Sequence, residues 1–202
     1  MSFKKLKAFP RERNGKGPAR RLRAKGLVPA ILYGAGVEST KISVSPRELV
    51  KALAGPTRTN TVLDIEIEGT DDPHSAIVRD HHYDPVTREL LHVDFLAVGI
   101  NQLIDLDVPF ALEGRSVGEQ LGGNLSKKCR SLPIQCKPAD IPAAITLDIS
   151  GIGLNETFTA AQLTMPEGVT LRMAGKTPLV TVISKRVVEA ETPAEAVKPG
   201  KK

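Results

Sequence analysis

Apolar and polar residues alternate with a period of two along much of this chain, and that pattern constrains the fold more than any other feature. In the segment TVLDIEIEG, Leu63, Ile65 and Ile67 face one way while acidic residues occupy the positions between and after them. Strands with one buried face show this alternation, because successive side chains of a strand point to opposite faces. TDDPHS has the composition of a turn and SAIVRDHHY follows as a returning strand, so the two runs predict a β-hairpin.

Further strands are predicted on both sides of this hairpin. RELLHVDFLAV, after the turn DPVT, places Leu91, Val93 and Phe95 on one face and His92 and Asp94 on the other. VPAILYG is an apolar run closed by glycine. After residue 97, strands are predicted in INQLIDLDVPFALEG, SLPIQCKP, AAITLDISG, GVTLRM and PLVTVISKRVV, whereas RSVGEQLGGNLS is interpreted as a glycine-rich loop. The fold class is therefore mainly β.

Two short helices interrupt the strands. In SPRELVKALAGP, Ser45 is predicted to cap the helix, Pro46 takes the first helical position and Glu48 completes a capping box. The other helix is predicted to begin near Pro18 and to stop at Gly26. Its cations fall on one side at helical spacing, and they are Lys16, Arg20 and Arg23 with Arg21 beside them.

Charge is distributed unevenly along the 202 residues, which are enough for two small domains. The first 25 residues hold ten cations and one acid, whereas the rest of the chain has a net charge of −4. We predict a basic domain at 1–96, a near-neutral β-rich domain at 97–187 and a disordered tail at 188–202. Such segregation indicates a phosphate polymer as partner, with an anionic membrane next.

Composition also excludes several classes of protein. No run of about 18 apolar residues and no secretory signal is found, so the chain is expected to be cytoplasmic and without a membrane partner. The cores must be aliphatic, because aromatic residues make up only 3% and Trp is absent. A flat aromatic platform for single-stranded bases is therefore hard to build. Cys129 and Cys136 are interpreted as ordinary half-buried thiols.

An enzyme is the weaker interpretation of the sequence. The GKGP segment lacks the Ser or Thr and the preceding strand of a phosphate loop, and GIGLNE lacks the third glycine of the dinucleotide fingerprint. Adjacent histidines on a strand point to opposite faces, which disfavours a metal site. The residues considered for such a site are His81, His82, His92, Asp80, Asp84 and Asp94. We expect no catalytic residue, no metal and no cofactor.

Nucleic-acid binding fits more of the sequence. Arginine can hold a phosphate with two hydrogen bonds, and Gly15 and Gly17 leave room for a phosphate near the backbone. Taken alone, the run of charges is explained equally well as a solvated surface that binds nothing. Tyr33 offers a hydroxyl to a ribose or phosphate, and Asp94 can accept from a guanine edge or orient His92. A core tyrosine and a surface histidine remain equally good alternatives for Tyr33 and His92.

GKGPARRLRAKGLVPAILYG, followed later by LLHVDFLAV, resembles the bacterial large-subunit ribosomal protein twenty-five family in its longer, two-domain Ctc (general stress protein) form. The resemblance covers nearly the whole chain, including SPRELVKAL, DVPFALEG and ADIPAAITLDISGI. It implies that the N-terminal domain is a small closed β-barrel with helices. It also implies that this barrel binds the widened minor groove of an internal loop of 5S rRNA. The DHHYDP segment differs from the more basic or glutamine-bearing forms of the family.

The resemblance implies a set of RNA contacts and a set of partners. The contacts are Arg11, Lys16, Arg20, Arg21, Arg23, Tyr33, His92 and Asp94. The partners are 5S rRNA and the large ribosomal subunit, with neighbouring ribosomal proteins for the C-terminal domain. Two rival functions stay open, namely a polyanion- or membrane-surface-binding stress protein and a metal-dependent hydrolase.

Overall fold

The computed structural model describes residues 4–12, 15–34, 36–70, 73–99 and 101–184. The α-helices are α1 (Lys16–Ala24), α2 (Pro46–Leu53) and α3 (Val117–Gln120). Short 3-10 helices lie at Arg58–Asn60, Pro138–Asp140 and Ala160–Gln162. The strands are β1 (Lys4–Pro10), β2 (Val28–Gly34), β3 (Val37–Val44), β4 (Leu63–Ile67), β5 (His74–Tyr83), β6 (Leu90–Ala97), β7 (Ile104–Glu113), β8 (Asn124–Lys127), β9 (Ser131–Cys136), β10 (Ile145–Asp148), β11 (Thr157–Thr159), β12 (Thr170–Leu171) and β13 (Pro178–Ile183).

The first six strands close into a barrel in the order β1-β3-β2-β6-β5-β4. Two of the pairings are parallel, β1 with β4 and β2 with β6, and the remaining neighbours are antiparallel. Leu6, Leu32, Ile42, Ile65 and Phe95 fill the interior and are almost fully buried. Closure leaves no free edge along which another chain could add a strand. The small closed barrel implied by the resemblance is confirmed.

The alternation in the sequence sets which residues face the barrel interior. Leu63, Ile65 and Ile67 are buried on β4, as their spacing predicted. On β6, Val93 and Phe95 are fully buried. His92 and Asp94 alternate with them on the outer face and are partly exposed. The period of two therefore places a histidine and an aspartate side by side on the outside of the barrel.

The two helices of the barrel differ from the sequence prediction at their N-termini. α1 begins at Lys16 rather than near Pro18, because Gly15 adopts φ 104° and turns the chain into the helix. Pro18 fits inside the first turn, since the first four amides of a helix have no intrahelical acceptor. α2 begins at Pro46 as predicted, but the Ser45 side chain makes no capping hydrogen bond. The predicted capping box is therefore wrong.

The C-terminal domain is built from two open sheets. One has the strand order β10-β7-β9-β12 and the other β11-β13-β8. Ile104, Leu106 and Val108 are buried along β7 as their alternation predicted, while Leu103 before the strand is exposed. They belong to an aliphatic core that also buries Cys136. The predicted mainly β class is confirmed for both domains.

The glycine-rich segment RSVGEQLGGNLS is not a simple loop, which corrects the sequence interpretation. It forms α3 and the start of β8, and Ser116 caps α3 by accepting a hydrogen bond from the Glu119 backbone amide. A Cβ at Gly118 would lie 2.6 Å from a methyl carbon of Val182, and one at Gly123 would lie 2.7 Å from the Gly118 carbonyl oxygen. These glycines are needed because the backbone packs too closely for a side chain.

The two domains contact each other beside the outer face of the barrel. Val62, Ile77 and Val98 of the barrel are buried in the same hydrophobic cluster as the C-terminal core. The Asn60 side-chain amide donates to the Asp107 carbonyl oxygen at 2.9 Å. The predicted tail at 188–202 lies outside the described residues. Among the described helices, none is long and apolar enough to cross a membrane.

Candidate nucleic-acid interface

The basic helix α1 lies against the barrel with its cations outward. None of its residues is fully buried, and Leu22 is half-buried toward the barrel. The Arg23 Nε atom donates to the Leu91 carbonyl oxygen at 3.2 Å, which fixes the helix beside β6. Arg23 therefore has a docking role in addition to its predicted RNA contact. Lys16, Arg20 and Arg21 are exposed.

Arg11 and Arg21 come together although they are distant in sequence. Both line a groove of about 490 Å³ that also includes Leu22 and Lys25. The Arg11 backbone amide donates to the Lys41 carbonyl oxygen at 3.0 Å, so the chain after β1 is held against β3. The Arg11 Nε atom is buried and has no hydrogen-bond partner among the described residues. The groove is thus lined by three cations and one acid, Glu12.

Tyr33, His92 and Asp94 come from β2 and β6, which are neighbours in the barrel. Their parallel pairing sets Ile31 opposite Asp94 and Tyr33 opposite Leu96. His92 and Asp94 are two residues apart and share the outer face, with side chains 27% and 31% exposed. His92 Nδ1 lies 2.7 Å from Asp94 Oδ1. The three predicted site residues therefore lie on one continuous surface.

His92 and Asp94 form a close polar pair on this surface. The Asp94 Oδ1 atom is buried against His92, whose Nδ1 atom lies 2.7 Å away. The contact holds the two side chains in a fixed relation, and both stay partly exposed. Their exposed atoms can therefore meet polar groups of a bound molecule.

A cleft of about 460 Å³ opens next to Asp94, and the C-terminal domain forms part of its wall. Tyr33 and Asp94 line it together with Arg79, and Leu106 and Asp107 of β7 face them. His92 does not line the cleft, but its side chain contacts Asp94, which does. The structure therefore separates the eight predicted residues into the cations around α1 and the polar group at the cleft, joined by β6.

Arg79 and Asp80 also line this cleft, and neither was predicted from the sequence as an RNA contact. A bulge in β5 between Val78 and Asp80 shifts the register, and Asp80 then lies opposite Asp94. The Arg79 Nη1 atom donates to the Asp105 carbonyl oxygen at 2.8 Å, which links the barrel to the C-terminal domain. The sequence carries no signal of this bulge, because Ala76, Ile77 and Val78 form an apolar run without alternation.

The histidines and aspartates on β5 and β6 do not converge on a metal site. His82 lies opposite His92 in the β5–β6 pairing, and the neighbouring His81 lies opposite Val93. Within the described ranges, no three His, Cys, Asp or Glu side chains are grouped so that they could hold a metal ion. The surface instead presents cations that can bind the phosphates of an anionic backbone, together with a few hydrogen-bond acceptors.

A closed barrel with a cationic helix docked on its outer face, beside a polar cleft, defines a small β-barrel binding protein with a second β domain. Comparison with known proteins identifies the family. Residues 6–95 match the model of the Ribosomal L25p family, and residues 103–186 match that of the C-terminal domain of ribosomal protein TL5. The chain belongs to the Ribosomal L25p family, a family of ribosomal proteins and not of enzymes.

Similar proteins are found across several bacteria, and each is called large ribosomal subunit protein bL25. The protein of Anaeromyxobacter sp. (strain Fw109-5) is 37% identical over 95% of this chain and 80% of its own length. That of Sorangium cellulosum is 34% identical over 98% of this chain and 85% of its own. That of Syntrophotalea carbinolica is 35% identical over 95% and 91%. The similarity therefore includes both domains.

Proposed function

We propose that this chain is a component of the large ribosomal subunit and binds 5S rRNA through the outer face of its barrel. The names of the similar proteins support the first part of the proposal. The observation that supports the second is the set of exposed cations on α1, a helix docked beside the partly exposed His92 and Asp94 side chains of β6. The exposed polar atoms of this pair can meet a guanine edge or a ribose hydroxyl.

In this proposal the two groups of residues have different tasks. The cations around α1 bind phosphates and set the orientation of the RNA without reading its sequence. Tyr33, His92 and Asp94 contact the minor groove, where A-form RNA presents its ribose hydroxyls and base edges. Because Arg23 is bonded to the carbonyl of Leu91 and His92 follows directly, the two groups are held in a fixed relation. The C-terminal domain is left free for neighbouring ribosomal proteins.

A gel shift with 5S rRNA and its fragments tests the proposal. Arg21→Ala removes a cation from the groove around α1, and Asp94→Ala removes the acceptor at the cleft. Each is expected to weaken binding by about 10- to 100-fold, the range for a hydrogen bond to a charged group. Arg115→Ala, which removes an exposed arginine from the C-terminal domain, is the matched control and should bind as the wild type does.

The same experiment separates the rival functions. A polyanion- or membrane-binding protein would bind every RNA fragment alike, lose RNA to anionic lipid vesicles and ignore Asp94→Ala. Asp94→Asn keeps one acceptor oxygen and should retain more binding than Asp94→Ala. Fragment-independent binding that survives both Arg21→Ala and Asp94→Ala contradicts the proposal.

A further inference from the structure

A second groove lies on the barrel, away from the cleft at Asp94. It has a volume of about 600 Å³ and lies between the turn after α1, the first turns of α2 and the hairpin of β5 and β6. Its floor is apolar and includes Leu27, Val50 and Leu90, of which Val50 is 58% exposed. Small-molecule sites usually have volumes of about 300–1,000 Å³ and apolar linings, so the groove is of the right size for a single ring system.

Cations surround this apolar floor. The groove is lined by Arg23, Arg47, Lys51 and Arg88, with Glu89 as the one acid. None of these four cations forms an ion pair in the part of the chain that the structure describes. An anionic occupant would therefore meet four positive groups and one negative group, a net positive lining.

Tyr83 is the aromatic residue of the groove. It ends β5 and is 49% exposed. The His81 ring meets it edge to face, with centroids 5.2 Å apart and planes at 77°. This contact orients the tyrosine ring while half of its surface stays available. An exposed, oriented aromatic ring is suited to stacking on a nucleobase.

The turn that carries Arg88 is held in one conformation. Asp84 accepts hydrogen bonds from the backbone amides of Thr87 and Val86, and these bonds keep the pKa of its carboxyl group below the ordinary value. The backbone of Arg88 has φ 61°, a conformation that residues other than glycine rarely adopt. Such strain, at a cost of about 1–3 kcal/mol, is found where a residue is needed at a particular place.

We propose that this groove holds one unpaired nucleotide of the bound RNA, with its base on Tyr83 and its phosphate on Arg47 and Arg88. Arg23 connects the groove to the interface around α1, because it lines the groove and also docks that helix. RNA on the outer face of the barrel can therefore continue into the groove. This inference rests on the proposed function and extends it, since it assigns a single-stranded site next to the duplex site.

Tyrosine fluorescence tests the groove without interference from Trp, because the chain has no Trp and only two tyrosines, Tyr33 and Tyr83. In Tyr33→Phe all of this emission comes from Tyr83. Titration with hexaadenylate should quench it in a saturable manner, because a stacked base quenches tyrosine. Oligoglutamate is the competitor. Saturable quenching by oligoglutamate but not by hexaadenylate would assign the groove to an acidic protein segment and overturn the inference.

Variants of the groove test its contribution to RNA affinity. Tyr83→Ala is expected to weaken 5S rRNA binding by roughly 5- to 150-fold, the range for one lost stacking contact. Tyr83→Phe keeps the ring and should bind nearly as the wild type does. Arg88→Gly should fold well, because glycine suits φ 61°, yet it should weaken hexaadenylate binding. Circular dichroism confirms that each variant is folded.

The outcomes distinguish this inference from the function on which it rests. If wild-type protein and Tyr83→Ala bind 5S rRNA equally well while Asp94→Ala is impaired, the groove holds no nucleotide and the proposed function stands. If 5S rRNA does not bind but hexaadenylate quenches Tyr83 in Tyr33→Phe, the proposed function fails and the nucleotide site stands.

Discussion

The barrel closes six strands on themselves, whereas the C-terminal domain has two open sheets of four and three strands. Both bury cores made mostly of Leu, Ile, Val and Ala. Their charge differs, since the first 25 residues contain ten cations and one acid while residues 101–184 contain seven cations and eight acids. The two cores have the same aliphatic composition, whereas the two domains differ in charge. We therefore look for the difference in function at the surfaces rather than in the cores.

The domains satisfy their buried polar side chains in the same way. Ser116 in the C-terminal domain is buried and accepts a hydrogen bond from its own helix. Ser43 and Asn60 of the barrel domain are buried too, and they donate to the carbonyl oxygens of Phe9 and Asp107. The domains therefore differ in surface charge rather than in the hydrogen bonding of their buried side chains.

The largest expected effect concerns the contact between the two domains. Ile77 lies on the barrel, is fully buried and belongs to the hydrophobic cluster of the C-terminal domain. Ile77→Ala should lower the free energy of unfolding by about 2–5 kcal/mol. In urea denaturation it should also split one transition into two. Ile183→Ala, at an exposed position, is the control and should cost far less. An unchanged single transition in Ile77→Ala would show that the domains fold as one unit without this contact.

A smaller effect is expected on the salt dependence of 5S rRNA binding. If five cations contact phosphates, the slope of log K against log salt should be roughly −3.5 to −4.5. The double variant Arg20→Gln/Arg21→Gln should make that slope shallower by about 1.4 to 1.8. Lys128→Gln/Arg130→Gln removes two exposed cations from the C-terminal domain and should leave the slope unchanged. If both double variants changed the slope equally, the proposal that only the barrel domain contacts RNA phosphates would be contradicted.

The smallest effect concerns the two thiols of the C-terminal domain. Burial raises the pKa of the Cys136 thiol, and Asp140 adds to the shift, whereas Cys129 is only half-buried. Cys129 should therefore react first with a thiol reagent at pH 8, and Cys136 only as the domain unfolds. Because the folded state holds the Cys136 proton to higher pH than the unfolded state does, stability should decline as pH rises above the ordinary thiol range. Simultaneous reaction of both thiols would mean that β9 opens readily.

Local patterns in the sequence predicted four of the six barrel strands, β2, β4, β5 and β6, whereas β1 and β3 were not predicted. Where one face of a strand is buried, a period of two reveals it. The alternation in TVLDIEIEG correctly assigned the buried residues of β4. On β6 it assigned Val93 and Phe95 correctly, whereas Leu91 of the same predicted face is only partly buried. The start of α1 was predicted wrongly, since a glycine with positive φ begins the helix and no side-chain cap marks it. The segment around Gly118 was misread because glycine marks both loops and close packing, and only the fold shows which applies.

The candidate site was harder to predict than the strands. The sequence placed His92 and Asp94 on one face, but the family resemblance alone suggested the closed barrel that brings Tyr33 beside them. Arg79 and Asp80 enter the cleft through a bulge, and a bulge depends on the pairing of two strands rather than on one. The contribution of Asp107 required knowledge of how the two domains pack.

The parallel pairing of β2 with β6 has a consequence for the order of events during synthesis. Residues 16–34 leave the synthesising ribosome well before residues 90–97, yet α1 docks on the carbonyl of Leu91. Parallel, distant pairings form late in folding because a long loop must close first. The most basic part of the chain is thus made first and fixed in place last. Until β6 arrives, a nascent chain carries a cationic segment that is not yet docked on the barrel.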